Sequence, residues 1–171
     1  ALSRVHLERF LLVGRRMNLD VTEAIDFADP AWARTLEARA RREGTLYSPV
    51  GIDYFVFPRG QIRAMPAFPV GRALWDNWMI HHARREHVPV IDGTEAILAV
   101  HQNHDYGHIA GGQRSAWYGA EVAHNWRMLG PDFFPLTIDD ATHVVDETGV
   151  RPALDQPYSD TADAYFGQQS E

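Results

Sequence analysis

The chain has 171 residues, 45% of them hydrophobic, and a formal charge of -7: long enough for one domain with a real core, and the wrong sign for a non-specific nucleic-acid binder, whose phosphate contacts need clustered cations. Cysteine is absent, which excludes disulfides, thiolate zinc sites and cysteine nucleophiles, and all 16 basic residues are arginine, as GC-rich coding or a demand for forked donors toward carboxylates and phosphates would give. No apolar run reaches the roughly 18–20 residues of a membrane span, and the opening ALSRVHLERFLLVG is too polar and arginine-rich for a signal peptide. The expectation is a soluble, cytoplasmic chain with no transmembrane segment and no nucleic-acid partner.

Taken in order, Phe10 to Val13 is a short apolar run that reads as a strand, closed by Gly14 and the polar Arg15-Arg16 pair. Residues 31–43 predict a helix, with Asp29 to cap it, Pro30 at its first position and Gly44 as its stop. The arginines of that helix gather toward its C-terminal half, where the dipole favours them. GIDYFVFPRG (51–60) predicts a buried strand ended by Pro58 and Gly60, and the loop MPAFPVG leads into a helix from Arg72 to His87. Val88 to Ile91 and Ala96 to Val100 predict two short strands, and Ser115 to Leu129 a third helix stopped by Gly130-Pro131. Thr142 to Pro152 suits a hairpin turning at Thr148-Gly149. Alternating strands and helices favour an α/β or mixed α+β arrangement, with a single domain over 1–154 and a loose polar tail over 155–171. No G-x-G-x-x-G and no phosphate loop is present.

Two segments concentrate the residue types that chemistry needs. In WDNW (75–78), Asp76 stands between Trp75 and Trp78, just after Gly71 and Arg72. It can be a first-turn helix residue stabilised by the dipole, or a general base whose pKa is set by a partly desolvated aromatic pocket. In HQNHDYGH (101–108), His101, His104, Asp105 and His108 put four potential metal ligands within eight positions, a set suited to zinc, manganese or another borderline divalent ion. The same residues also serve as hydrogen-bonded packing groups, with Asp105 orienting one imidazole. Trp75, Trp78 and Tyr106 offer faces on which a sugar ring stacks. Asp53 faces a ligand or ends strand pairing; Arg15 and Arg16, and the mid-helix His81-His82 pair, read as structural.

The series FLLVGRRMNLDV, GIDYFVFPRG, MPAFPVGRALWDNWMI and PVIDGTEAILAVHQNHDYGH resembles a family of bacterial proteins similar to nucleotide-diphospho-sugar glycosyltransferases. The resemblance covers most of residues 10 to 150 and is most specific at WDNW and HQNHDY. It implies a GT-A-like fold, a central mixed sheet flanked by helices, and transfer of a sugar from a nucleotide-sugar donor to a saccharide or lipid-linked acceptor. By the same resemblance Asp76 matches the acidic base at the start of a late helix, and His101, with His104 second, matches a histidine ligand to the metal. Asp53, Arg72, Trp75, Trp78 and Tyr106 become the substrate-binding candidates, with manganese or magnesium as cofactor. No D-x-D triplet precedes Asp53, so the expectation is the acceptor-side part of such a fold, truncated before Ala1 and with little or no transferase activity by itself. A surface left open by truncation would favour self-association into a homo-oligomer. Two other readings stand beside it: a zinc-dependent hydrolase built on His101, His104, Asp105 and His108, and a non-catalytic carbohydrate-binding module.

Overall fold

The structure is a computed structural model and describes residues 5–154; the polar tail from Asp155 lies outside the described residues. In chain order the elements are β1 (Leu11–Val13), β2 (Arg16–Leu19), α1 (Trp32–Glu43), β3 (Thr45–Leu46), α2 (Trp75–Arg85), β4 (Val90–Asp92), β5 (Ala99–Gln102), α3 (Gly112–Tyr118), α4 (Ala120–Leu129), β6 (His143–Asp146) and β7 (Gly149–Pro152). A 3-10 turn, Ile138–Asp140, precedes β6. The strands form two mixed sheets, ordered β1-β4-β6-β7 and β3-β2-β5, so the fold is α/β.

The first sheet carries the core because β1 (LLV) and the Val90-Ile91 part of β4 are apolar on both faces, as strands covered on both sides must be. β1 runs parallel to β4, pairing Leu11 with Val90 and Val13 with Asp92, and β4 runs parallel to β6. With a side-chain period of two, Leu11, Val13 and Val90 fall on one face and Leu12, Ile91 and Val145 on the other. The former face meets Met79, Ile80 and Ala83 of α2 together with Val88, Leu136 and Ile138. The latter is covered by Tyr54, Val56, Ala96, Ile97 and Val150. β7 closes the edge by antiparallel pairing with β6, and its two-residue turn, Glu147-Thr148, is held by the Asp146 carboxylate, which accepts from the Thr148 amide (2.7 Å) and hydroxyl (2.6 Å).

In the second sheet β2 lies parallel to β5, setting Asn18 opposite His101, and antiparallel to β3. This small sheet brings the early RMNL segment beside HQNHDYGH. Burial on α1 is confined to Ala40, while Arg39–Glu43 and Arg41–Glu37 ion pairs, each 2.9 Å, lace its outer surface at i,i+4 spacing.

Several local expectations change. Arg15-Arg16 do not end the strand region; Arg16 opens β2, whose partner β5 arrives some eighty residues later. GIDYFVFPRG is extended but contributes one antiparallel bridge, Val56 to Leu12, rather than a full strand. The two strands after α2 sit one to three residues further on than the apolar runs suggest. The helix expected over 115–129 is two helices: a Cβ at Gly119 would lie 2.4 Å from the Ser115 carbonyl oxygen, and the backbone turns extended there. Asp29 does hold the entry to α1, but its carboxylate accepts from the Ala31 amide (2.8 Å) and its carbonyl from Trp32 (3.0 Å), with no side-chain cap at Ala31 itself.

Candidate active site

α2 begins three residues later than its apolar pattern predicts, because the chain before it is turned twice into left-handed backbone, at Gly71 (φ 80°) and Leu74 (φ 85°). Leucine in that conformation costs on the order of 1 kcal/mol. It is held there because the Leu74 side chain is fully buried and its carbonyl accepts from the Trp78 amide at 2.9 Å. α4 clamps the same loop: the Asn125 side-chain amide donates to the Ala73 carbonyl (2.9 Å), and Arg72 Nε donates to Glu121 Oε2 in an ion pair. Inside α2, the buried Asn77 side chain donates to the Leu136 carbonyl at 2.8 Å. The start of α2 is thus fixed from three directions, and Asp76 occupies its first turn.

Asp76 opens onto a cleft of about 570 Å³. Its walls come from β2 and β5, the 50–53 segment, the start of α2, the 104–109 loop and α3. Of the residues singled out in the sequence, Asp53, Arg72, Trp75, Asp76, His101, His104, Tyr106 and His108 all line it. Trp78 and Asp105 do not. Trp78 packs edge-on against Phe68 and stacks flat on His82 with ring centres 4.7 Å apart. Asp105 Oδ1 accepts from the Gly107 amide at 2.8 Å and so shapes the loop.

Burial pushes the Asp76 carboxyl up from the ordinary carboxylate range to about 7, and the negative charge of Asp53 adds to the effect, while hydrogen bonds from backbone amides, Asn77 first, work against it. Asp53 is the hub of the opposite wall. Its Oδ1 accepts from Arg16 Nη1 at 2.6 Å and its Oδ2 from His101 Nδ1 at 2.7 Å. A carboxylate only accepts, so Nδ1 of His101 carries the proton and Nε2 keeps its lone pair. Burial and then the Arg16 charge lower the proton affinity of His101, outweighing the pull of Asp53. Arg16 is itself held, with its guanidinium 4.2 Å over the Tyr47 ring and Nε donating to Asn18.

Beyond His101 the rings continue along the loop. His101 and His104 lie 5.4 Å apart between centres, His104 meets Tyr106 edge-on at 4.4 Å, and Tyr106 and His108 are nearly parallel at 6.4 Å. Tyr106 stands at φ 61°, a left-handed conformation that residues with side chains adopt chiefly where surrounding structure dictates it. Among the described residues, no three His, Asp or Glu side chains are arranged to hold one metal ion. Asp53 occupies Nδ1 of His101 and leaves Nε2 toward the cleft, while Oδ1 of Asp105 is engaged by the loop.

Sequence reasoning missed Arg16, Tyr47 and Trp117, which also line the cleft. Arg16 had a signal: it alternates with Asn18 on one face of RMNL, so a strand reading would have paired the two. Trp117 had none, since its place depends on the break at Gly119 and the packing of α3. No helix among the described residues is long and apolar enough to cross a membrane. No family model, curated protein or solved structure matches the chain.

Proposed function

We propose that the cleft is a sugar-transfer site in which Asp76 is the general base. The observation that carries this reading is the state of Asp76: a carboxyl group open to an aromatic-walled cleft, with a proton affinity raised to about 7. A general base is most effective when its pKa lies near the working pH. In the proposed step the Asp76 carboxylate takes the proton of an acceptor hydroxyl as that oxygen bonds to the anomeric carbon of a nucleotide-sugar. The bond from that carbon to the diphosphate oxygen breaks, and the nucleoside diphosphate leaves with the electron pair. Trp75, Trp117 and Tyr106 supply faces for the apolar C–H patches of saccharide rings, and Asp53, with Arg16 behind it, fixes His101 with Nε2 as a hydrogen-bond acceptor. Arg72, three residues before α2 and paired with Glu121, lines the same cleft.

The test uses the longest natural form of the protein that carries this chain, assayed for nucleoside diphosphate release from UDP- and GDP-sugars with saccharide acceptors. The expected rate rises with pH toward a plateau above about 7, and Asp76→Asn lowers it by at least about a hundred-fold, the lower end of general-base contributions. Undiminished turnover in Asp76→Asn would overturn the assignment. Saccharide binding that quenches tryptophan fluorescence equally in both proteins, with no turnover in either, would favour the carbohydrate-binding module. Stoichiometric zinc with activity toward simple esters or glycosides would favour the hydrolase, and titrations with manganese, magnesium and zinc supply that comparison.

A further inference from the structure

A second cavity, of about 690 Å³, lies at the other end of α2. It is lined by His81, Arg84 and Arg85 of that helix, His87 of the turn after it, His143 of β6 and one carboxylate, Asp132. In a chain of net charge -7, two guanidinium groups and three imidazoles converge here against a single acid. Part of this has an architectural reason. Arg84 donates to the Asp140 carbonyl, and cations in the last turn of α2 offset the helix dipole. Neither reason accounts for imidazoles arriving from three separate elements.

His81 stands behind the cavity wall: it is 6% exposed, its ring lies 5.0 Å from Phe133 and 5.1 Å from Phe134, it hydrogen-bonds the Phe134 backbone, and its Nδ1 is buried without a partner among the described residues. Leaving such a nitrogen unmatched costs about 1–3 kcal/mol. Burial, and next the Arg85 charge, hold its proton affinity below the ordinary imidazole range. A bound anion opposes both effects. The Thr142 hydroxyl donates to the Val90 carbonyl (3.0 Å), so Nδ1 of His143 donates to that hydroxyl at 2.9 Å and Nε2 becomes a donor to an anion when the ring is protonated; His87 is fixed at φ 53° with its amide donating to the Arg84 carbonyl at 3.1 Å.

We propose that this cavity binds a phosphate group, held by Arg85 and by the imidazoles of His87 and His143, with the buried His81 ring behind them. The ligand is free inorganic phosphate or a small phosphate monoester. This site stands apart from the cleft and its assignment does not depend on the sugar-transfer reading.

The experiment follows the histidine side-chain NMR signals while inorganic phosphate, and in a parallel series glycerol 3-phosphate, replaces chloride at constant ionic strength. Saturable shifts at His81, His87 and His143 are expected, weakened about ten-fold by Arg85→Gln, an exposed change that leaves the core untouched. His143→Gln should weaken them as well, and Asp76→Asn should leave them as they are. Tighter binding of the monoester assigns an organic phosphate; equal binding assigns the free ion. The proposal is overturned by shifts that do not saturate, by saturable shifts insensitive to both Arg85→Gln and His143→Gln, by shifts that begin at His101 and His104 of the cleft, or by a site that takes up zinc and ignores phosphate.

Discussion

In the folded chain the carboxyl of Asp76 gives up its proton near pH 7, whereas an aspartate in an unfolded chain does so near 4. Between those two values the native state holds the extra proton, so stability contributed at this position falls as pH rises through the window and reaches its floor above about 7. Asparagine imitates the protonated acid and never ionises. Asp76→Asn should therefore melt at a higher temperature than the parent at pH 8 and nearly with it at pH 4, while losing the activity assigned to the base. A lower melting temperature at pH 8 would mean that the carboxylate is stabilised by a partner. Asp53 acts on the same group from across the cleft. Asp53→Asn removes the partner of Arg16 and His101 and a negative charge felt at Asp76, so the Asp76 pKa should drop, read by carboxyl carbon NMR. The nitrogen shifts of His101 should at the same time move from a single tautomer toward a mixture.

Among elements, those whose periodicity is local were legible and those whose existence depends on a distant partner were not. FLLV declared β1 because four apolar residues in a row need cover on both faces. The 142–152 hairpin was legible, though its turn falls one residue earlier, at Glu147-Thr148, where Asp146 can hold it. β2 was hidden because RMNL has polar side chains on the face it turns to the cleft, and only β5 makes it a strand. The apolar run YFVF was misleading in the other direction: its side chains are wanted for packing, by Tyr54 and Val56 on one face of the first sheet and by Phe55 on the other, and not for ladder hydrogen bonds. The division between α3 and α4 turns on one missing methyl group. Gly119→Ala places a Cβ against the Ser115 carbonyl, and since backbone cannot yield as a flexible side chain does, the change should cost about 1–3 kcal/mol in chemical unfolding. Trp117 lies two residues away, so the same variant should disturb its fluorescence.

At the scale of the whole molecule, residues as far apart as Arg16 and Trp117 meet in one cleft because two small sheets and the start of α2 converge there. WDNW and HQNHDYGH were legible as chemistry-bearing because acids, imidazoles and aromatics crowd within short segments. Their meeting was not, since it depends on the left-handed turn at Leu74 and on the parallel pairing of β2 with β5. Nor was the orientation of Trp78, whose neighbour Asp76 faces the cleft while it stacks on His82.

α2 itself has a further consequence. Its 11 residues make a rod of about 16 Å at 1.5 Å per residue, with the carboxyl at one end and the cationic cavity at the other. Over that span a unit charge is felt at about 0.3 kcal/mol through bulk water and about 1 kcal/mol at an effective dielectric of 20, before salt with a screening length of about 8 Å reduces either figure. Field alone therefore moves the titration of Asp76 by no more than a few tenths of a unit when an anion occupies the far cavity, and the sign is upward. A shift of a full unit or more, or one in the downward direction, would show that the rod is displaced along its axis or rotated, and that the two ends communicate by motion.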